Sequence, residues 1–98
     1  MRRYSDYWDK FYIKKILPDY PSNFAKYCLK NFIKKNYNLL EIGTGNGRDA
    51  IYFSKHLKKV TAIDKSKKAI ENINILKLQK NITNLELISC DVSRLKKI

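Results

Sequence analysis

The sequence predicts an α/β fold: the N-terminal part of a doubly wound parallel sheet, with three strands and helices on both faces, preceded by two N-terminal helices. Three observations carry that expectation. Short runs rich in Leu, Ile and Val recur at residues 39–42, 60–63 and 85–90. A glycine or polar turn follows each run, and after the first two turns the apolar spacing becomes helical. Parallel neighbours need a crossover of about a dozen or more residues, usually a helix, so strands separated by helices read as right-handed βαβ units.

The elements follow in chain order. Residues 5–16 bring Tyr7, Trp8, Phe11, Tyr12, Ile13 and Ile16 to one side of a short amphipathic helix. The stretch "LPDYPSNF" breaks it with two prolines. Ser22 can cap a second helix over residues 23–35, with Phe24, Tyr27, Cys28, Phe32 and Ile33 on its buried side, and residues 36–38 end it. The first strand, 39–42, leads through a glycine turn into a helix over 48–56. The second, 60–63, leads through "DKS" into a helix over 67–80, and the third, 85–90, runs into "DVSRLKKI". With the usual order 3-2-1, the first strand keeps a bare edge where a fourth would pair. The chain stops soon after its third strand, so the expectation is a fragment, a truncated reading frame or one half of an assembly.

Composition bounds the function classes. With 98 residues the chain is at most one domain, and 44% hydrophobic residues fit a globular chain. No apolar run approaches the roughly 18 residues that span a bilayer, and "MRRYSDYWDKFY" lacks the apolar core of a secretory signal, so the expected compartment is the cytoplasm. The net charge of +12 would suit nucleic acid, but the lysines are scattered along the whole chain as a compositional bias rather than a built patch. Lys26, Lys30 and Lys34 form a stripe that a solvated helix face explains. Cys28 and Cys90 belong to no C-x-x-C pair and read as reduced and buried, and the lone His56 has no partner for catalysis or metal binding. No metal is expected. The Asn81-Ile82-Thr83 sequon would matter only in a secreted chain.

The chemistry concentrates in "LLEIGTGNGRDA". Gly43, Gly45 and Gly47 let a strand-to-helix turn adopt positive φ and let its backbone approach a ligand closely. Dinucleotide folds use G-x-G-x-x-G to seat a pyrophosphate, but here the third glycine arrives one residue early and Arg48 takes its place. Glu41 and Asp49 add two carboxylates to a site that a pyrophosphate would want free of anions. Carboxylates suit a ligand that carries positive charge instead.

The spacing E-x-G-x-G-x-G from Glu41 to Gly47 resembles motif I of the class I S-adenosylmethionine-dependent methyltransferases, a family with a Rossmann-like sheet. The resemblance covers roughly residues 37–95. It implies S-adenosylmethionine as cofactor, with Glu41 toward the methionine ammonium or bracing the turn, and with Gly43, Gly45 and Gly47 lining the approach. It also implies that Asp64, in "VTAID", binds the ribose hydroxyls, and that Asp91 and Val92, after "LISC", contact the adenine. Asp64 can equally serve the turn that Ser66 caps, and Asp91 an ordinary Asp-Val-Ser turn. More loosely, "YWDKFY", "PSNFAKY" and "GNGRDAIYFSK" resemble small-molecule methyltransferases of the tellurite-resistance type and of surface-polysaccharide clusters. There an N-terminal helical segment closes over the cofactor, so Tyr7, Trp8, Phe11 and Tyr12 either face the sulfonium or simply cover the sheet.

The expected organisation is a helical cap over residues 1–36 and a partial Rossmann-like S-adenosylmethionine-binding domain over 37–98. The expected function is methyl transfer to a small-molecule acceptor. Any general base and most of the acceptor pocket would come from the fourth strand onward, so no catalytic residue is assigned and the chain is not expected to be catalytically self-sufficient. Two other readings stay open: a dinucleotide-binding module, and a non-catalytic basic protein that binds nucleic acid.

Overall fold

The computed structural model describes residues 20–94. Three helices and a three-stranded parallel sheet account for most of them. Helix α1 spans Asn23–Asn31. Strand β1 (Asn38–Ile42), helix α2 (Arg48–Ser54), strand β2 (Lys59–Asp64), helix α3 (Lys67–Gln79) and strand β3 (Leu85–Ser89) follow, with a 3₁₀ turn at Val92–Arg94. The sheet order is β1-β2-β3, all parallel, as the alternation of strands and helices implies. The expected helix over residues 5–16, with its aromatic side chains, lies outside the described residues.

Each helix starts and stops for a local reason. Ser22 Oγ accepts from the Ala25 N–H at 3.0 Å and caps α1. The helix ends earlier than its periodicity suggests, because Phe32 leaves helical geometry and both Phe32 N–H and Ile33 N–H donate to the Cys28 carbonyl. Ser66 caps α3 in the same way, accepting from Ala69 N–H at 3.1 Å. At the other end of α3, Asn81 takes the left-handed conformation (φ 55°), Asn81 N–H donates to the Leu78 carbonyl and Ile82 N–H to the Lys77 carbonyl. That pattern is a Schellman motif, and Asn is the non-glycine residue best suited to it.

The expected buried side of α1 needs correction. Ala25 is buried, Leu29 and Ile33 pack against the core, and Phe24 is 75% exposed with Tyr27 and Phe32 also outside. Positions 25, 29 and 33 form a single i, i+4 row, and the tie between Ser22 and Asp49 turns that row inward. Tyr27 and Phe32 instead pack edge to face on the surface, ring centroids 5.7 Å apart. Cys28 and Cys90 are free thiols and half-buried, not fully buried. His56 is exposed, packed edge-on to Tyr52 at 5.0 Å.

Helices on both faces are not what the described residues show. Register pairs Leu39 with Val60 and Val60 with Leu85, then Glu41 with Ala62 and Ala62 with Leu87, and this is the face that joins the hydrophobic core. Ala50, Ile51, Phe53 and Leu57 from α2 and its exit, and Ile73 from α3, meet it. Both crossovers step in the same direction along the sheet, and right-handed crossovers that step the same way place their helices on the same face. The opposite face carries Leu40 and Ile42, 41% and 53% exposed, and the outer edge of β1 pairs with no described strand. No helix among the described residues is long and apolar enough to cross a membrane.

Candidate functional site

The three parallel strands present their C-terminal ends together, and the turns leaving them form one surface. β1 runs straight into the glycine turn. Gly43 N–H and Thr44 N–H both donate to the Ile63 carbonyl, at 2.8 and 3.1 Å, so the turn is folded back over the end of β2. All three glycines have positive φ: 75° at Gly43, 62° at Gly45 and 76° at Gly47.

The glycines then divide by what a side chain would meet. A Cβ on Gly43 would have nothing within 4 Å, so this backbone faces open space. A Cβ on Gly47 would stand 2.6 Å from Ile73 Cγ1. Gly47 is buried, forms the N-cap position of α2, and permits the contact between α2 and α3. Its requirement comes from core packing, whereas that of Gly43 comes from the open side of the turn.

Asp64 joins the turn to the next one. Its Oδ2 accepts from Gly45 N–H at 2.9 Å and its Oδ1 from Ser66 N–H at 2.8 Å. Each carboxylate oxygen has a second acceptor site, so both structural bonds leave room for a ligand hydroxyl. The Asp64 carbonyl accepts from Cys90 N–H at 3.0 Å, which brings the end of β3 alongside. One residue further on, Asp91 Oδ1 accepts from Ser93 N–H at 3.0 Å and from Ser93 Oγ at 2.7 Å, an Asx turn opening the 3₁₀ segment. Val92 is half-buried at its start.

Glu41 lies lower, on the core face of β1 beneath the first turn of α2. Burial, the largest influence, raises its carboxyl above the ordinary glutamate value, the nearby Thr44 hydroxyl pulls it down, and the charge of Asp49 raises it again. Thr44 is only 7% exposed, yet its Oγ1 completes no hydrogen bond of good geometry with a described residue. The Glu41 carboxylate is the acceptor nearest to hand for this hydroxyl, at less than ideal geometry.

Glu41, Gly43, Gly45, Asp64, Asp91 and Val92 therefore meet at one end of the sheet, while Gly47 sits on the core side of the same turn. Sequence reasoning counted Asp49 only as a second carboxylate beside the turn and did not foresee its partner. Its carboxylate is half-buried and takes both the N–H and the hydroxyl of Ser22. An acid three residues into a glycine-to-helix turn was the visible signal, but its partner lies 27 residues away. Among the described residues, no group of three His, Cys, Asp or Glu side chains could hold a metal ion.

A family model described as a methyltransferase domain matches residues 33–98. No curated protein matches the chain. Among solved structures, one from work on conversion of a disulfide bond into a thioacetal group during echinomycin biosynthesis superposes with a TM-score of 0.80 at 20% identity, over 91% of this chain and 39% of that one. A SAM-dependent methyltransferase from Aquifex aeolicus gives 0.67 at 22% identity, over 97% of this chain and 51% of that one. Coclaurine N-methyltransferase bound to N-methylheliamine and SAH gives 0.67 at 24% identity, over 74% and 22%. At these identities the likeness is one of fold, and the chain spans at most about half the length of these matched structures.

Proposed function

Because the chain belongs to the methyltransferase-domain family, we propose that it is the cofactor-binding portion of an S-adenosylmethionine-dependent methyltransferase whose acceptor is a small molecule. The observation that carries the reading is the carboxylate of Asp64, which ties the glycine turn to the start of α3 where β1 and β2 end together. Residues 37–98 are the partial binding domain in this reading, and residues 1–36 its helical cap. The donor set fits the ligand: three carboxylates, Glu41, Asp64 and Asp91, stand at or near strand ends, beside an open glycine backbone at Gly43.

Each residue has a role that its chemistry supports. Asp64 accepts from the two ribose hydroxyls with the lone pairs that Gly45 and Ser66 leave free. Glu41 receives the amino acid's ammonium group, and Gly43 gives it passage by having no Cβ. Asp91 and Val92 border the adenine. S-adenosylmethionine, when bound, supplies a methyl group already activated by its sulfonium, so this chain contributes binding and orientation. The small-molecule acceptor is supported by N-methylheliamine in the related coclaurine enzyme.

Calorimetric titration with S-adenosylhomocysteine tests the reading, with NAD as the competing ligand. Saturable heat with S-adenosylhomocysteine and none with NAD is expected. Binding of NAD alone would move the site to the dinucleotide class, which the acidic surroundings of the turn argue against.

A further inference from the structure

Asp49 joins two parts of the molecule that are distant in sequence. Its Oδ1 accepts from Ser22 N–H at 2.7 Å and its Oδ2 from the Ser22 hydroxyl at 2.8 Å. Having given its proton to Asp49, that hydroxyl keeps its lone pairs, and it accepts from Ala25 N–H at 3.0 Å to cap α1. One serine thus closes the start of α1 and fastens it to the first turn of α2. Bonds to a carboxylate are about twice as strong as neutral ones, so this is a firm junction. Capping of α2 does not demand it, since the N-cap position there belongs to Gly47. The same carboxylate bears on Glu41 through its charge.

We propose that Asp49 is a positioning residue of the glycine-turn site: it holds the α1 cap through Ser22 and sets the charge beside Glu41, so that α1 and the turn respond to ligand as one body. The proposal rests on the reading that Glu41 and the turn hold an adenosyl amino acid. With Asp49 committed to Ser22, Glu41 is the carboxylate left to receive the ligand's ammonium. Among the described residues, the groups around Glu41 are Asp49 from α2, Ala62 beside it on β2 and Thr44 from the turn, and α1 contributes the uncharged Ser22 through Asp49. Among the described residues, the charge that bears on Glu41 is therefore that of Asp49.

Titration of S-adenosylhomocysteine into the full chain tests this, using Ser22→Ala, Asp49→Ala, their combination, Ser22→Thr and Asp49→Asn, with circular dichroism as a check of the fold. Ser22→Ala and Asp49→Ala should each weaken binding about five- to tenfold, the combination should cost no more than one of them, and Ser22→Thr should bind as wild type. Asp49→Asn should move the acid limb of the affinity-against-pH profile to lower pH, because Glu41 ionises more readily without a like charge beside it. A purely structural junction would leave that limb in place. If the alanine variants fail to fold, Ser22→Thr and the isosteric Asp49→Asn still decide the matter through rescue and the pH limb. Affinities within about twofold of wild type, or additive losses with an unmoved limb, overturn the proposal. A wild-type chain that binds no S-adenosylhomocysteine overturns the site reading and this inference together, whereas a binding wild type with indifferent variants overturns the inference alone.

Discussion

Gly43 and Gly47 stand four positions apart in one motif and answer to different forces. At both, φ near +75° costs a side chain about 1–2 kcal/mol. At Gly47 a Cβ would also drive into Ile73, adding about 1–3 kcal/mol of overpacking. Gly47→Ala should therefore lose about 2–5 kcal/mol in urea denaturation, a large part of a small domain's margin, while Gly43→Ala loses only the backbone share and instead impairs ligand binding. Equal stability losses at the two sites would contradict the division. Glu41 offers a second residue-level test. Its folded-state pKa is raised, so its ionisation carries no penalty below the unfolded value, an increasing one as pH rises through the folded value, and the full one above that. In the absence of ligand, Glu41→Gln should be more stable than wild type at neutral pH and equal to it in acid, read as urea midpoints at the two pH values.

At the scale of elements, the ends of helices carry more of the design than their interiors. The Asn84 side chain donates to the carbonyls of Ser54 and Leu57 at 2.8 and 2.9 Å, closing the end of α2 from the residue before β3. A helix of seven residues cannot stand alone, so such a cap matters. Asn84→Ala removes both bonds from partly buried carbonyls and should cost about 1–3 kcal/mol by chemical denaturation. Amide exchange should quicken first at residues 51–57; uniform quickening across the molecule would show that the cap is not local. A surface ion pair, Lys59 with Glu86 at 3.3 Å, is half exposed on both sides and contributes little.

At the scale of the whole molecule, α2 and α3 cover one face of the sheet, and among the described residues no helix covers the other and no strand pairs with the outer edge of β1. Leu40 and Ile42 expose apolar surface beside an edge that pairs with no described strand, a combination that templates further strand pairing. The chain should associate as its concentration rises, and Leu40→Lys with Ile42→Lys should suppress that in sedimentation measurements while leaving the urea midpoint nearly unchanged. A large loss of stability in that variant would mean that these side chains are buried in the folded chain.

The strands, their turns, the caps at Ser22 and Ser66 and the cluster of glycines and acids were legible in the sequence, because each is written in local spacing: alternation, capping chemistry and glycine placement. The turn-forming role of Asp64 was legible for the same reason, since the Ser66 turn it serves lies two residues away. The face that α1 buries, the placing of α2 and α3 on the same side of the sheet, the packing role of Gly47 and the junction of Ser22 with Asp49 were decided by the tertiary structure. These depend on which residues, 26 or 27 apart in sequence, come to lie within a few ångströms, as Gly47 does with Ile73 and Ser22 with Asp49. Periodicity reports that a helix has an apolar side, but only packing against neighbours and the hydrogen bonds at its ends set how that side is turned.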